Sequence, residues 1–182
     1  MTKNIVRLAV GTALLLLIPL ALTIRDGNVP NVGWNWSPGD FVFAFVLIFG
    51  TGLAYLLASR TRPTVQYRAG VGVALVATFL LIWINGAVGI IGDSDINALY
   101  LAVPAVLFLG SIVARLKPGA MSFVLYAAAA VQFSIPVIAY VLNVPDFSPG
   151  VAATFALNGF WVVLYVGSGL LFRQAAETPA KA

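Results

Sequence analysis

The sequence predicts an all-α fold: a polytopic membrane helix bundle with six transmembrane helices, residues 1–182 forming a single bundle. Three observations carry that expectation. Six apolar runs come close to the roughly 20 residues a helix needs to cross a bilayer. Only 9% of residues are charged and 61% are hydrophobic, whereas a soluble domain carries roughly a quarter charged residues, so charge is too sparse to coat a water-facing surface. The few charges also sort by sign between alternate loops.

The first span is expected over 8–24, behind Lys3 and Arg7. Those flanks suit a signal peptide, but Leu22-Thr23-Ile24 leads straight into Arg25 without a small-residue cleavage pattern, so the run reads as an uncleaved anchor. A loop with Gly27, Pro30 and Gly33 follows and carries Trp34 and Trp36, which suit the half-wet headgroup layer as interfacial anchors. Ser37-Pro38-Gly39-Asp40 has the form of a capping box, with proline in the first turn. It opens the second span, 41–59.

Arg60, Arg62 and Arg68 surround Pro63 before the third span, 69–91. Gly92-Asp93-Ser94-Asp95-Ile96 makes an acidic turn into the fourth span, 97–114, which contains Pro104. Arg115 and Lys117 precede the turn signal Pro118-Gly119. The fifth span covers 120–142, with a kink expected at Pro136. Ser148-Pro149-Gly150 opens the sixth, 151–172. The Trp36-Ser37-Pro38-Gly39 and Phe147-Ser148-Pro149-Gly150 openings hint at a parallel repeat; a shared capping solution explains them equally well.

Six spans place both termini on one side. Lys3, Arg7, Arg60, Arg62, Arg68, Arg115, Lys117, Arg173 and Lys181 then share that side with Glu177. Arg25, Asp26, Asp40, Asp93, Asp95 and Asp146 fall on the other. The positive-inside rule makes the basic side cytoplasmic, which accounts for the net charge of +4 without nucleic acid as a partner. The expected partners are the lipid bilayer and, beyond it, a second copy or another membrane protein.

The chain has no cysteine and no histidine. That removes disulfides, thiolate and imidazole metal ligands, and Ser–His–Asp or Cys–His machinery. No metal site and no cofactor are expected. Every charged residue lies in a loop or near a helix end, and no span holds a lysine, which disfavours a proton relay through buried carboxylates and a retinal Schiff base.

Neutral polar residues remain. Gln132 and Asn158 are candidate intramembrane polar contacts, either joining helices or holding a ligand. Asn85, Asp93, Asp95, Asn97 and Tyr100 form a candidate ligand-binding group around the acidic turn. The alternation Asp93-x-Asp95-x-Asn97 resembles the start of a calcium loop, but the sixth position is Ala98 and the twelfth Pro104, where an EF-hand needs Gly and Glu. Helix capping explains the turn as well. Gly86, Gly89 and Gly92, Gly70 and Gly72, Gly110 and the Ala127–Ala130 run read as packing faces.

The segments WSPGDFVFAFVLIFGTGLAYLL, WINGAVGIIGDSDINALY and LNGFWVVLYVGSGLLFR resemble an uncharacterised family of small bacterial multi-pass inner-membrane proteins. The likeness is strongest over Asn85–Gly92, the acidic turn and Asn97. The sequence departs from the pattern just after Gly92, where an acidic turn with Asn-Pro is typical, and in a longer first loop. The resemblance implies a bacterial inner membrane and no reaction. The expected function is a non-enzymatic accessory, scaffold or ligand-sensing membrane component. The alternative is a passive channel or carrier for a small polar solute or cation. An enzymatic reading would rest on Asp93 and Asp95 alone.

Overall fold

A computed structural model describes residues 1–27, 34–62, 64–142, 147 and 150–177. Among these residues all the regular structure is helical. The helices are α1 (Thr2–Asp26), α2 (Pro38–Ala58), α3 (Val65–Val88), α4 (Ala102–Ala114), α5 (Pro118–Val141) and α6 (Val151–Glu177). A 3-10 segment, Asp95–Leu101, runs directly into α4. Counting it with α4, six helices are long and apolar enough to cross a membrane, the pattern of a multi-pass membrane protein. Asp146, and Ser148 and Pro149 at the centre of the second opening of the suggested repeat, lie outside the described residues, as does Lys181.

The chain divides into two compact units, Met1–Leu56 and Leu57–Ala182. In the first, α2 opens with the expected capping box. The Ser37 amide donates to Asp40 Oδ2 at 2.7 Å, and the Asp40 amide donates to Ser37 Oγ at 3.3 Å. These bonds satisfy amides that a helix start leaves without intrahelical partners. Within the same unit, a side chain at Gly52 would run into Leu8, so glycine lets α1 and α2 approach.

In the second unit α6 packs between α3 and α5, and α4 packs on α5. The buried residues of α6 run Thr154, Asn158, Trp161, Tyr165, Ser168, Phe172 and Ala175, with Gly169 beside them. Their alternating four- and three-residue steps are the 3.5 period of left-handed helix packing. The buried face of α5 follows the same steps through Pro118, Ser122, Leu125, Ala129, Gln132, Pro136 and Ala139. Close approach is again set by glycine: a side chain at Gly169 would meet Tyr126, and one at Gly110 would meet Val124. Between α3 and α6, Ser168 Oγ donates to the Gly70 carbonyl at 2.8 Å and Trp161 Nε1 to the Ala77 carbonyl at 3.0 Å.

Several boundaries differ from the sequence reading: α1 begins at Thr2 and α6 runs on to Glu177, and both ends of α3 shift. α3 begins at Val65 because the Thr64 hydroxyl caps it, accepting from the Tyr67 amide at 3.4 Å. It ends at Val88 rather than residue 91, because Gly89 takes φ +69°, a conformation that glycine adopts without penalty. Gly89 and Gly92, both at positive φ, shape a turn instead of extending a packing face, and Gly86 is exposed. The fourth span begins as a 3-10 helix over Asp95–Leu101 and becomes α-helical at Ala102, with Pro104 in the first α turn, where its missing amide hydrogen is tolerated.

Candidate functional site

The candidate residues separate into two arrangements. The first is a latch on the α3–α4 turn. Asn97 Oδ1 accepts from the amides of Ile90 and Ile91 at 3.1 and 2.9 Å, and its Nδ2 donates to the carbonyls of Gly92 and Ile91 at 2.8 and 3.4 Å. Only an amide side chain offers both an acceptor and two donors to such a turn. Asn85 Nδ2 donates to the Asn97 backbone carbonyl at 3.0 Å, tying the end of α3 to the 3-10 segment. Folding the turn inward buries Ile90 and Ile91 completely or nearly so. The cap of the 3-10 segment is Ser94, whose Oγ accepts from the Ile96 amide at 3.4 Å. Asp93 and Asp95 are exposed, and among the described residues neither forms an ion pair.

The second arrangement lies inside the unit. Tyr100 turns away from the acidic pair. Its hydroxyl donates to Asn158 Oδ1 at 3.0 Å, and Gln132 Nε2 donates to the same oxygen at 2.8 Å. Asn158 Nδ2 donates to the Thr154 carbonyl at 2.8 Å. Tyr100, Gln132, Thr154 and Asn158 are all at most 1% exposed. The cluster joins the 3-10 segment, α5 and α6 through one amide. Gln132 Oε1 and Thr154 Oγ1 are buried without a hydrogen-bond partner. Pro136 also lacks the N–H that would normally bond the Gln132 carbonyl. The cluster is neutral and rich in acceptors, suited to helix joining or to a small uncharged hydrogen-bond donor.

Trp34 and Trp36 belong to the other unit. Their rings lie 5.6 Å apart, and Trp36 meets Phe41 edge-on at 5.2 Å. The Trp34 amide donates to Asp26 Oδ2 at 3.2 Å and the Trp36 amide to Thr23 Oγ1 at 3.4 Å, so both backbones are tied to the end of α1.

Sequence reasoning missed Thr154, Trp161, Ser168 and Tyr67. The signal for the first three was present as the 4-3 spacing of polar and aromatic residues along α6. Tyr67 carried no local signal. Its hydroxyl accepts from Thr61 Oγ1 at 2.7 Å and donates to the Leu116 carbonyl at 3.0 Å, 49 residues away.

Comparison with protein-family models, with curated proteins and with solved structures yields no match.

Proposed function

We propose that this chain is a non-enzymatic component of a bacterial inner membrane, a small accessory or scaffold protein with both termini cytoplasmic. The observation that supports this best is the mutual bonding of Tyr100, Gln132 and Asn158. Gln132 Nε2 and the Tyr100 hydroxyl are both spent on Asn158 Oδ1, joining helices rather than lining a path. The latch at Asn97 spends its polar groups on backbone in the same way. The orientation rests on the sorting of basic from acidic residues, and the bacterial membrane on the resemblance of the Asn85–Tyr100 stretch.

One observation favours a second reading, a sensor or passive carrier of a small neutral solute: Gln132 Oε1 and Thr154 Oγ1 are buried with bonding capacity unused. Solute flux into liposomes holding the purified protein separates the two. The scaffold reading expects flux equal to protein-free liposomes. Flux that is saturable and abolished by Gln132→Leu would overturn it. Labelling of single cysteines placed at Ser59 and Ser94 in intact cells tests orientation, with only the latter expected to react with an impermeant reagent.

A further inference from the structure

Tyr67 is fully buried, yet basic residues flank it and the residues that meet it. Thr61, Leu116 and Phe172, which meet its ring or hydroxyl, each have a cationic neighbour in sequence. Thr61, which donates to the Tyr67 hydroxyl, lies between Arg60 and Arg62. Leu116, whose carbonyl the hydroxyl bonds, lies between Arg115 and Lys117. Phe172, whose ring meets Tyr67 edge-on at 5.0 Å, precedes Arg173. Arg68 follows Tyr67 itself. All six cationic residues are exposed. Among the described residues, the acid that pairs with any of them is Glu177, 3.6 Å from Arg173 at the exposed end of α6.

The α4–α5 turn is built to present two of these charges. Arg115 and Leu116 both take left-handed backbone, at φ 49° and 54°. Non-glycine residues adopt that conformation at a cost, and it persists where surrounding contacts enforce it. The bond from the buried Tyr67 hydroxyl to the Leu116 carbonyl is such a contact. Ordinary charge sorting asks only that basic residues lie on one side of a membrane. It does not ask that their sequence neighbours in three chain segments meet at one buried tyrosine.

We propose that Arg60, Arg62, Arg68, Arg115, Lys117 and Arg173, which flank Tyr67 and the residues that meet it, form a site for the phosphodiester headgroup of an anionic phospholipid. The inference rests on the membrane reading above, since helix ends in a bilayer lie at headgroup level. Basic clusters between helix ends at that level recognise such headgroups, and each nearby cation adds attraction. Arginine forks bind phosphate oxygens in pairs, which favours a fixed site over a diffuse cloud of lipid.

The test uses the full chain in mild detergent, with bound lipid counted by native mass spectrometry during titration with phosphatidylglycerol or phosphatidylcholine. Selective retention of phosphatidylglycerol is expected, with millimolar inorganic phosphate failing to displace it. Displacement by phosphate would assign the site to a free anion and overturn the lipid proposal. The double variant Arg115→Gln/Lys117→Gln should lose about thirtyfold in affinity. The control Lys3→Gln/Arg7→Gln, equal in charge change but in the other unit, should lose little. Equal losses in both would reduce the effect to net charge and overturn the site. Tyr67→Phe keeps every charge and the ring but removes both hydroxyl bonds, and should weaken retention several-fold while the protein still elutes as a folded species. Unchanged retention would overturn the organising role. None of these readouts depends on cellular orientation, so failure of the labelling experiment and failure of this one are separable.

Discussion

The two units are made of similar helices held together differently. The apolar windows of α1 and α2 match any in the chain, yet the buried residues of these helices are Thr12, Pro19 and Ala44. α5 and α6 bury a continuous stripe that includes Gln132, Thr154, Asn158 and Ser168. Lipid tails are as apolar as leucine, so apolar side chains gain little by choosing a helix over lipid. Small residues and hydrogen bonds do discriminate. The α3–α6 unit is stitched through its interior by Trp161 to Ala77, Ser168 to Gly70 and Asn158 to Tyr100 and Gln132. In the α1–α2 unit the bonds at Asp26, Thr23 and the Ser37–Asp40 box lie where the chain leaves α1 and enters α2, and Thr51 Oγ1 bonds only within its own helix, to the Leu47 carbonyl.

Asn158→Leu should break this contrast most sharply. It strands the Tyr100 hydroxyl and the Gln132 amide, each bond being worth roughly 0.6 to 2 kcal/mol and each stranded group costing about 1 to 3 kcal/mol. A loss of about 2 to 4 kcal/mol is expected in detergent-titrated unfolding; a loss below about 1 kcal/mol would mean that the interior bonds do not hold the unit. Gly89→Ala comes next, at about 2 kcal/mol, because φ +69° disfavours a side chain and its Cβ would press on the Gly92 carbonyl and Asn97 Nδ2. Ser37→Ala should cost about 1 kcal/mol as a lost cap, read as local fraying of α2 by amide exchange with little change at α5 and α6. Thr154→Val sharpens the functional choice. Its Oγ1 is buried and unpartnered, so the scaffold reading expects no loss of stability, or a gain. A clear loss would mean that the hydroxyl holds something, and would favour the sensing or carrier reading.

Much of the fold was legible because hydropathy and capping are local. The apolar runs gave the helices, and Ser37 with Asp40 marked the start of α2 before any contact was known. The end of α3 was not legible. Gly89, Ile90 and Ile91 extend an apolar run, and hydropathy does not register that Gly89 reverses the backbone. Asn85, Asn97, Tyr100, Gln132 and Asn158 could each be picked out as polar residues in apolar surroundings. Which partnered which could not, because Tyr100 and Asn158 stand 58 residues apart.

By itself the sequence determined the membrane class, the number of helices, the sorting of charge and the chemistry that lack of cysteine and histidine removes. Each of these depends on residue type and spacing along a chain that is locally helical. Tertiary structure alone decided that Asn97 serves the backbone, that Tyr100 leaves the acidic turn for Asn158, and that Thr61, Leu116 and Phe172 meet at Tyr67. Those outcomes depend on the angles and offsets at which helices dock. Hydrogen bonds and steric fit set these over distances that no local pattern encodes.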